Sequence, residues 1–221
     1  YDREIMKRVA RSLSKANPEY RVEYHQQCGS GDNPSSPAND SMEHLPYLTK
    51  LWFGESYNYN RSPDYWLVEV SGIPFGLTGE MLDNTRTANP WRGMIYGIND
   101  RTNPKRAGPL YKLWDDFGIQ DSEWLGYWDP KCPVKTGRDD IMAAVYKKKG
   151  KSLICLASWA NGSVDLNLAV DWKALGLDPA KTRLTAPEIQ EIQKGKTFNI
   201  GDTLPVEKGK GLLLVAEEKA Q

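Results

Sequence analysis

The sequence predicts an α/β portion over residues 1–120 followed by an all-β portion over residues 121–221. Two observations carry this division. Strand-like and helix-like segments alternate in the first part, with caps at the helix starts and glycine or proline at their ends. From Trp124 onward, short apolar runs are separated by hairpin-type turns instead.

In the first part, Asp2 is placed to cap a helix over Arg3 to Ala16, with Ile5, Val9 and Leu13 at four-residue spacing on one face. Asn17-Pro18 ends it, because the residue before a proline avoids the helical region. A strand from Tyr20 to Gln27 follows, in which Val22 and Tyr24 alternate with Glu23, His25 and Gln27. The stretch Gly29 to Asp40 is a loop by composition, and a short helical piece is expected over Asn39 to Leu45. A strand over residues 48–54 leads to Glu55. Ser62 as N-cap, Pro63 at the first helical position and Gly72 as stop define a helix near Pro63 to Ser71. A third strand is expected over residues 73–78, leading to Glu80. Helices starting at Asn89-Pro90 and Gly108-Pro109, the second stopped by Gly118, complete this part.

In the second part, Ile141 to Tyr146 and Ser152 to Ser158 flank Lys148-Lys149-Gly150 and read as a hairpin. Asn161-Gly162 reads as the next hairpin turn, into a strand from Val164 to Val170. Residues 171–177 form a helical connector, and strands near 183–186, 197–200 and 212–216 finish a small antiparallel sandwich. Only about three parallel strands are expected before it, whereas a closed (β/α)8 barrel needs about eight. An open sheet of three parallel strands would leave both edges exposed. The expectation is therefore the C-terminal part of a (β/α)8 barrel followed by an antiparallel β-sandwich, with the other barrel strands upstream.

Composition excludes several function classes. Lys plus Arg and Asp plus Glu each number 29, so no global field argues for nucleic acid or an anionic membrane. The basic run at residues 147–151 reads as a solvated turn. No apolar stretch is long enough to insert across a bilayer. Cys28, Cys132 and Cys155 lack paired or metal-binding spacing, and no phosphate loop or nucleophilic serine motif is present. Neither a metal nor a cofactor is expected. The chain starts at Tyr1, so any localisation signal is expected upstream.

Eight Trp and eleven Tyr against four Phe favour aromatic rings with a polar handle, suited to half-buried packing and to wet ligand surfaces. Glu55 and Glu80 follow two neighbouring expected strands, where the βα loops of a parallel sheet or barrel form the functional face. Carboxylates with aromatics in that position suggest sugar chemistry. Glycoside hydrolysis generally uses two carboxyl groups roughly 5 to 10 Å apart, one of them kept protonated, and Glu55 with Glu80 is the candidate catalytic pair. The plainer reading has them binding sugar hydroxyls or pairing with Arg86 or Arg92. His25 and Gln27 share a strand face and are candidate substrate contacts, with a structural histidine as the alternative. Tyr57, Tyr59 and Trp91 are candidates for stacking on a sugar ring. Trp52 is a further stacking candidate for which core packing is the preferred reading, and Trp66 and Trp172 are assigned to packing.

The run from Trp52-Phe53-Gly54-Glu55 through Ser62-Pro63-Asp64-Tyr65-Trp66 to Ile73-Pro74-Phe75-Gly76-Leu77 resembles bacterial glycoside-hydrolase-like proteins related to glycoside hydrolase family 123. So do Asn89-Pro90-Trp91-Arg92-Gly93-Met94 and Asp171-Trp172-Lys173-Ala174-Leu175-Gly176. The resemblance spans the whole chain. It implies a (β/α)8 catalytic barrel with a trailing β-sandwich, a carbohydrate substrate drawn from polysaccharide or glycan, and export to the periplasm or beyond. It also implies an adjacent Asp-Glu acid pair. None stands at an expected strand end here, so that pair is expected before Tyr1, and the activity of this chain alone stays open. A non-catalytic carbohydrate-binding or scaffold module is the alternative.

Overall fold

The computed structural model describes residues 2–25, 42–53, 61–81, 89–97, 99–100 and 104–219. The chain forms two compact units: residues 1–88 with 97–102, and residues 89–96 with 103–221. It contains helices and both parallel and antiparallel sheets, and the two kinds of strand do not share a sheet.

In the first unit, helix α1 covers Asp2–Ala16. Four parallel strands, β1 Glu23–His25, β2 Lys50–Phe53, β3 Thr78–Met81 and β4 Asn99–Asp100, form one sheet in the order β1-β2-β3-β4. Thr49 fastens the N-terminal edge: its Oγ1 accepts from the Val22 amide at 2.8 Å and donates to the Val22 carbonyl at 3.1 Å. The Thr49 carbonyl in turn accepts from the Thr78 amide at 3.3 Å. These bonds tie β1, β2 and β3 together where the three strands begin. Leu51 is fully buried, and Tyr24, on the same face by alternation, meets the His44 ring edge-on at 6.1 Å.

Between β2 and β3, Ser62 caps helix α2 (Pro63–Tyr65) by accepting from the Tyr65 amide at 3.3 Å. The chain continues as a π-helical turn, Trp66–Val70. Ser71 closes that turn, its amide donating to the Trp66 carbonyl and its hydroxyl to the Leu67 carbonyl at 2.7 Å. The strand expected over 73–78 is corrected here. Gly72 and Gly76 both take positive φ (72° and 75°), which wraps Ile73–Phe75 into a 3-10 turn. The strand starts only at Thr78, so Glu80 lies inside β3 rather than in the loop beyond it. The helical piece expected over Asn39 to Leu45 is a 3-10 helix over Met42–Tyr47.

The second unit contains helices α3 Pro90–Met94 and α4 Pro104–Phe117. Its strands are β5 Glu123–Leu125, β6 Val134–Lys135, β7 Ile141–Lys148, β8 Lys151–Ser158, β9 Val164–Leu166, β10 Ala169–Val170, β11 Thr182–Ala186, β12 Lys196–Phe198, β13 Leu204–Val206 and β14 Gly211–Glu218, with helix α5 Trp172–Leu175 before β11. Six strands form one antiparallel sheet in the order β12-β11-β14-β8-β7-β5, and two-stranded sheets pair β10 with β6 and β13 with β9. The β7–β8 hairpin turns at Gly150 with φ 72°. The Asn161-Gly162 turn does not close a hairpin, because β9 pairs with β13 and the segment expected as one strand over 164–170 divides between two sheets. The core gathers Val134, Ile154, Leu156, Leu166, Leu184, Leu204 and Leu214 from all three sheets, with Trp172 packed against it.

Candidate functional site

Parallel pairing puts His25 opposite Trp52, Trp52 opposite Glu80, and Glu80 opposite Asn99. The four residues therefore occupy one register row across the sheet, about 4.8 Å from strand to strand. Two residues toward the N-terminal ends, the row is Glu23, Lys50 and Thr78, with Lys50 Nζ 3.5 Å from Glu23 Oε1. The row between them carries Tyr24 and the buried Leu51. Trp52 is half-buried within the row.

Of the residues singled out from sequence, the structure thus brings His25 and Glu80 into one register row. Gln27, Glu55, Tyr57 and Tyr59 lie outside the described residues, two or more positions after the ends of β1 and β2 at His25 and Phe53. Asn99 was missed by sequence reasoning. Its strand is two polar residues long, too short and too polar for any periodic signal. Among the described residues no group of three or more His, Cys, Asp and Glu could hold a metal ion. Among them also, no helix is long and apolar enough to cross a membrane.

Trp91 belongs to the second unit and is buried, with 8% exposure. Its helix α3 is fixed at both ends. Asn89 Oδ1 accepts from the Arg92 amide at 3.1 Å while Asn89 Nδ2 donates to the Gly209 carbonyl at 2.5 Å. At the other end, the Tyr146 hydroxyl donates to the Met94 carbonyl at 3.1 Å. Arg92 itself is buried: Nε and a terminal nitrogen donate to the Ser158 carbonyl at 3.2 and 2.8 Å, and the guanidinium lies 4.5 Å from the Trp159 ring centre. Burial lowers its pKa to about 10, which leaves it charged at neutral pH. Gly211 permits the seating of Trp91, since a Cβ there would stand 2.7 Å from Trp91 Cβ. Five aromatic rings of the second unit form a cluster, with Trp128 meeting Tyr127 at 5.0 Å, Trp124 at 5.4 Å and Tyr96 at 6.2 Å. The Trp124 ring continues the cluster to Tyr146 at 6.3 Å.

A mixed fold whose parallel sheet carries a polar row of this kind defines an α/β protein with an added antiparallel part. Residues 1–103 match the family model for the TIM-barrel domain of glycoside hydrolase 123, and residues 106–217 match that for its C-terminal domain. The chain belongs to glycoside hydrolase family 123. Among solved structures it is similar to an alpha-amylase from Geobacillus thermoleovorans complexed with acarbose, at 8% identity and a TM-score of 0.47. It is similar also to a GH30 endoxylanase from Clostridium papyrosolvens C71, at 11% identity and the same TM-score. Each alignment covers 99% of this chain but only 58% and 61% of those chains, respectively. Comparison with curated proteins yields no match.

Proposed function

We propose that the chain is the C-terminal half of a glycoside hydrolase: residues 1–120 contribute to a (β/α)8 barrel and residues 121–221 form a trailing β-sandwich. The barrel mouth hydrolyses glycosidic bonds of a polysaccharide or glycan. The observation that carries this reading is the register row His25, Trp52, Glu80 and Asn99 across four parallel strands. In a barrel, alternate residues face the interior and the chemistry sits at the C-terminal strand ends. Four strands are half of the eight that a barrel needs, and Ile5, Val9, Leu13, Val68 and Phe75 of the first unit are exposed. Further βα units would supply cover for such side chains.

In this reading Glu80 and Glu55 act at the mouth as carboxyl functions, one able to donate a proton to the leaving oxygen while the other is ionised. His25 and Gln27 offer hydrogen bonds to sugar hydroxyls, and Tyr57 and Tyr59 offer ring faces to a pyranose, whereas Trp91, buried in the second unit, takes no part at the mouth. The test is steady-state kinetics of the full-length protein on aryl glycosides. Glu55→Gln and Glu80→Gln should each lower kcat/KM by roughly an order of magnitude or more while leaving the melting temperature in place. Tight glycan binding with no turnover in the wild type would instead identify a carbohydrate-binding module. Unfolding of Glu55→Gln with full activity per folded molecule would make that residue structural.

A further inference from the structure

In the second unit, a cavity of about 730 Å³ opens between the β11–β12 connection and the turn that enters β14, with Trp91 in its wall. We propose that this cavity is a second carbohydrate-binding site, taking an uncharged sugar unit of a glycan. The ligand class rests on the carbohydrate reading above; the site itself uses no residue of the parallel sheet.

The lining has the chemistry of polyol recognition. Trp91, Ile192, Phe198 and Leu212 contribute buried apolar surface to it. The exposed side chains around it are Glu188, Glu191 and Glu207 against Lys194, Lys196 and Lys210. Three carboxylates and three ammonium groups cancel in charge, so the cavity favours neither anion nor cation; Lys210 Nζ pairs with Glu207 Oε2 at 2.6 Å and Lys196 Nζ lies 4.7 Å from the Phe198 ring centre, while Glu188 and Glu191 supply acceptors and Lys194 donors. Its volume falls in the range of about 300 to 1,000 Å³ usual for small-ligand pockets, which also combine an apolar lining with a few polar groups.

The walls are held by specific bonds. Gln193 Nε2 donates to the Pro187 carbonyl at 2.8 Å and the Leu213 carbonyl at 2.9 Å, and Oε1 accepts from the Leu213 amide at 2.8 Å. One side chain thus ties the β11–β12 connection to the backbone of β14. Within that connection the amides of Ile189 and Gln193 bond to each other's carbonyls, with Glu191 between them at φ 65°. A left-handed glutamate is uncommon and persists only where its surroundings hold it, as they do here. On the opposite side, the Asn89–Gly209 bond joins the helix carrying Trp91 to the turn before β14. The Trp91 indole nitrogen is buried and has no hydrogen-bond partner among the described residues. The same holds of Trp114 and Trp124, so it is the cavity beside Trp91 that distinguishes this indole.

The experiment is calorimetric titration of the full-length protein with cello- and chito-oligosaccharides of three to six units. It compares the wild type, the exposed-rim double variant Glu188→Ala/Lys194→Ala, and Glu80→Gln. We expect the rim variant to lose about tenfold or more in affinity at one site, as two lost hydrogen bonds imply. Its melting temperature and its turnover of a small aryl glycoside should match the wild type, and Glu80→Gln should leave that site at full affinity. A rim variant that binds every probe as the wild type does, including no binding by either, overturns the proposal. If turnover depends on Glu80 and no binding depends on the rim, the cavity inference fails alone. If turnover is absent or indifferent to Glu80 while binding depends on the rim, the hydrolase reading fails and the cavity stands.

Discussion

Leu153 to Ala157 on β8 are each 0% exposed, whereas Ile5, Val9 and Leu13 on α1 are exposed by 47%, 41% and 38%. The contrast extends through the two units. In the second, three eight-residue strands, β7, β8 and β14, lie side by side and bury runs of consecutive residues. In the first, strands of two to four residues build a parallel sheet, and every large hydrophobic side chain exposed among the described residues belongs there. Parallel sheets require cover on both faces, because each strand is apolar toward the helices and holds no hairpin partner. The antiparallel unit meets its packing needs within itself. The parallel one leaves apolar side chains of α1 and of the β2–β3 connection exposed.

Four changes would break or sharpen that comparison. The largest effect is expected from Gly211→Val in the self-sufficient unit, where a Cβ would stand 1.8 Å from the Leu156 carbonyl oxygen and 2.7 Å from Trp91 Cβ. Both neighbours are backbone or backbone-near, so the strand itself must move. Urea denaturation should show a loss of about 3 kcal/mol or more. A loss under about 1 kcal/mol would mean that β14 and α3 have slack this packing does not suggest.

Arg92→Met should come next, at about 2 to 3 kcal/mol, since it leaves the buried Ser158 carbonyl without both guanidinium bonds. Arg92→Lys keeps the charge but not the fork, and should recover less than half of that loss. Full recovery by lysine would show that charge, not geometry, matters at this position.

Val9→Asp sharpens the comparison from the other unit. In the 221-residue chain an already exposed side chain should cost less than about 0.5 kcal/mol. In the full-length protein, where the proposed barrel covers α1, the same change should cost about 1.5 kcal/mol or more. Equal, small effects in both would count against the covered helix and the half-barrel reading.

Alkali tests the second unit through its buried ionisable groups. Burial raises the Cys155 thiol, and raises the Tyr146 hydroxyl well above its ordinary value. Both groups stay protonated in the folded state while the unfolded chain loses those protons above about pH 9 to 10. The folded pKa values are raised, so the stability they contribute is complete below the unfolded values and falls as pH rises beyond them. Each ionising group should take at most about 1.4 kcal/mol per pH unit from stability. Urea midpoints of Cys155→Ala should therefore fall less steeply between pH 8.5 and 10.5 than those of the wild type. Native Cys132 and Cys155, both buried, should also resist alkylation at pH 8 until the protein unfolds.

Much of the local structure was legible because it rests on short-range rules. Gly150 turns the β7–β8 hairpin, Ser62 and Asn89 cap helices, and Gly118 follows α4 with φ 71°. In each case one residue's backbone freedom or side-chain oxygen decides the outcome. Where two local signals competed, the reading failed. Ile73, Phe75 and Leu77 alternate like a strand, yet Gly72 and Gly76 take left-handed conformations and wind that segment into a turn. Glu80 consequently moved from a loop into β3. The family likeness was also legible, carried by the run from Trp52 to Leu77.

The candidate site was legible as a set of residue types, not as an arrangement. His25 and Glu80 could be picked out from their places near expected strand ends, but the row that joins them through Trp52 to Asn99 depends on register. Register here is set by bonds between Thr49, Val22 and Thr78, residues up to 29 positions apart. Two polar residues such as Asn99-Asp100 become a strand only because the edge of β3 presents unpaired backbone groups to them. Likewise Val164 to Val170 pairs with two different strands because β13 and β6 offer the available edges. The sequence by itself determined the turns, the caps, the apolar stripe of α1 and the change from alternating to hairpin-rich chain, all properties of residues close together. Only the tertiary structure decided which strands pair, which polar residues share a face, and which apolar stripe goes unmet, because those depend on distant segments competing for the same backbone edges and buried surface.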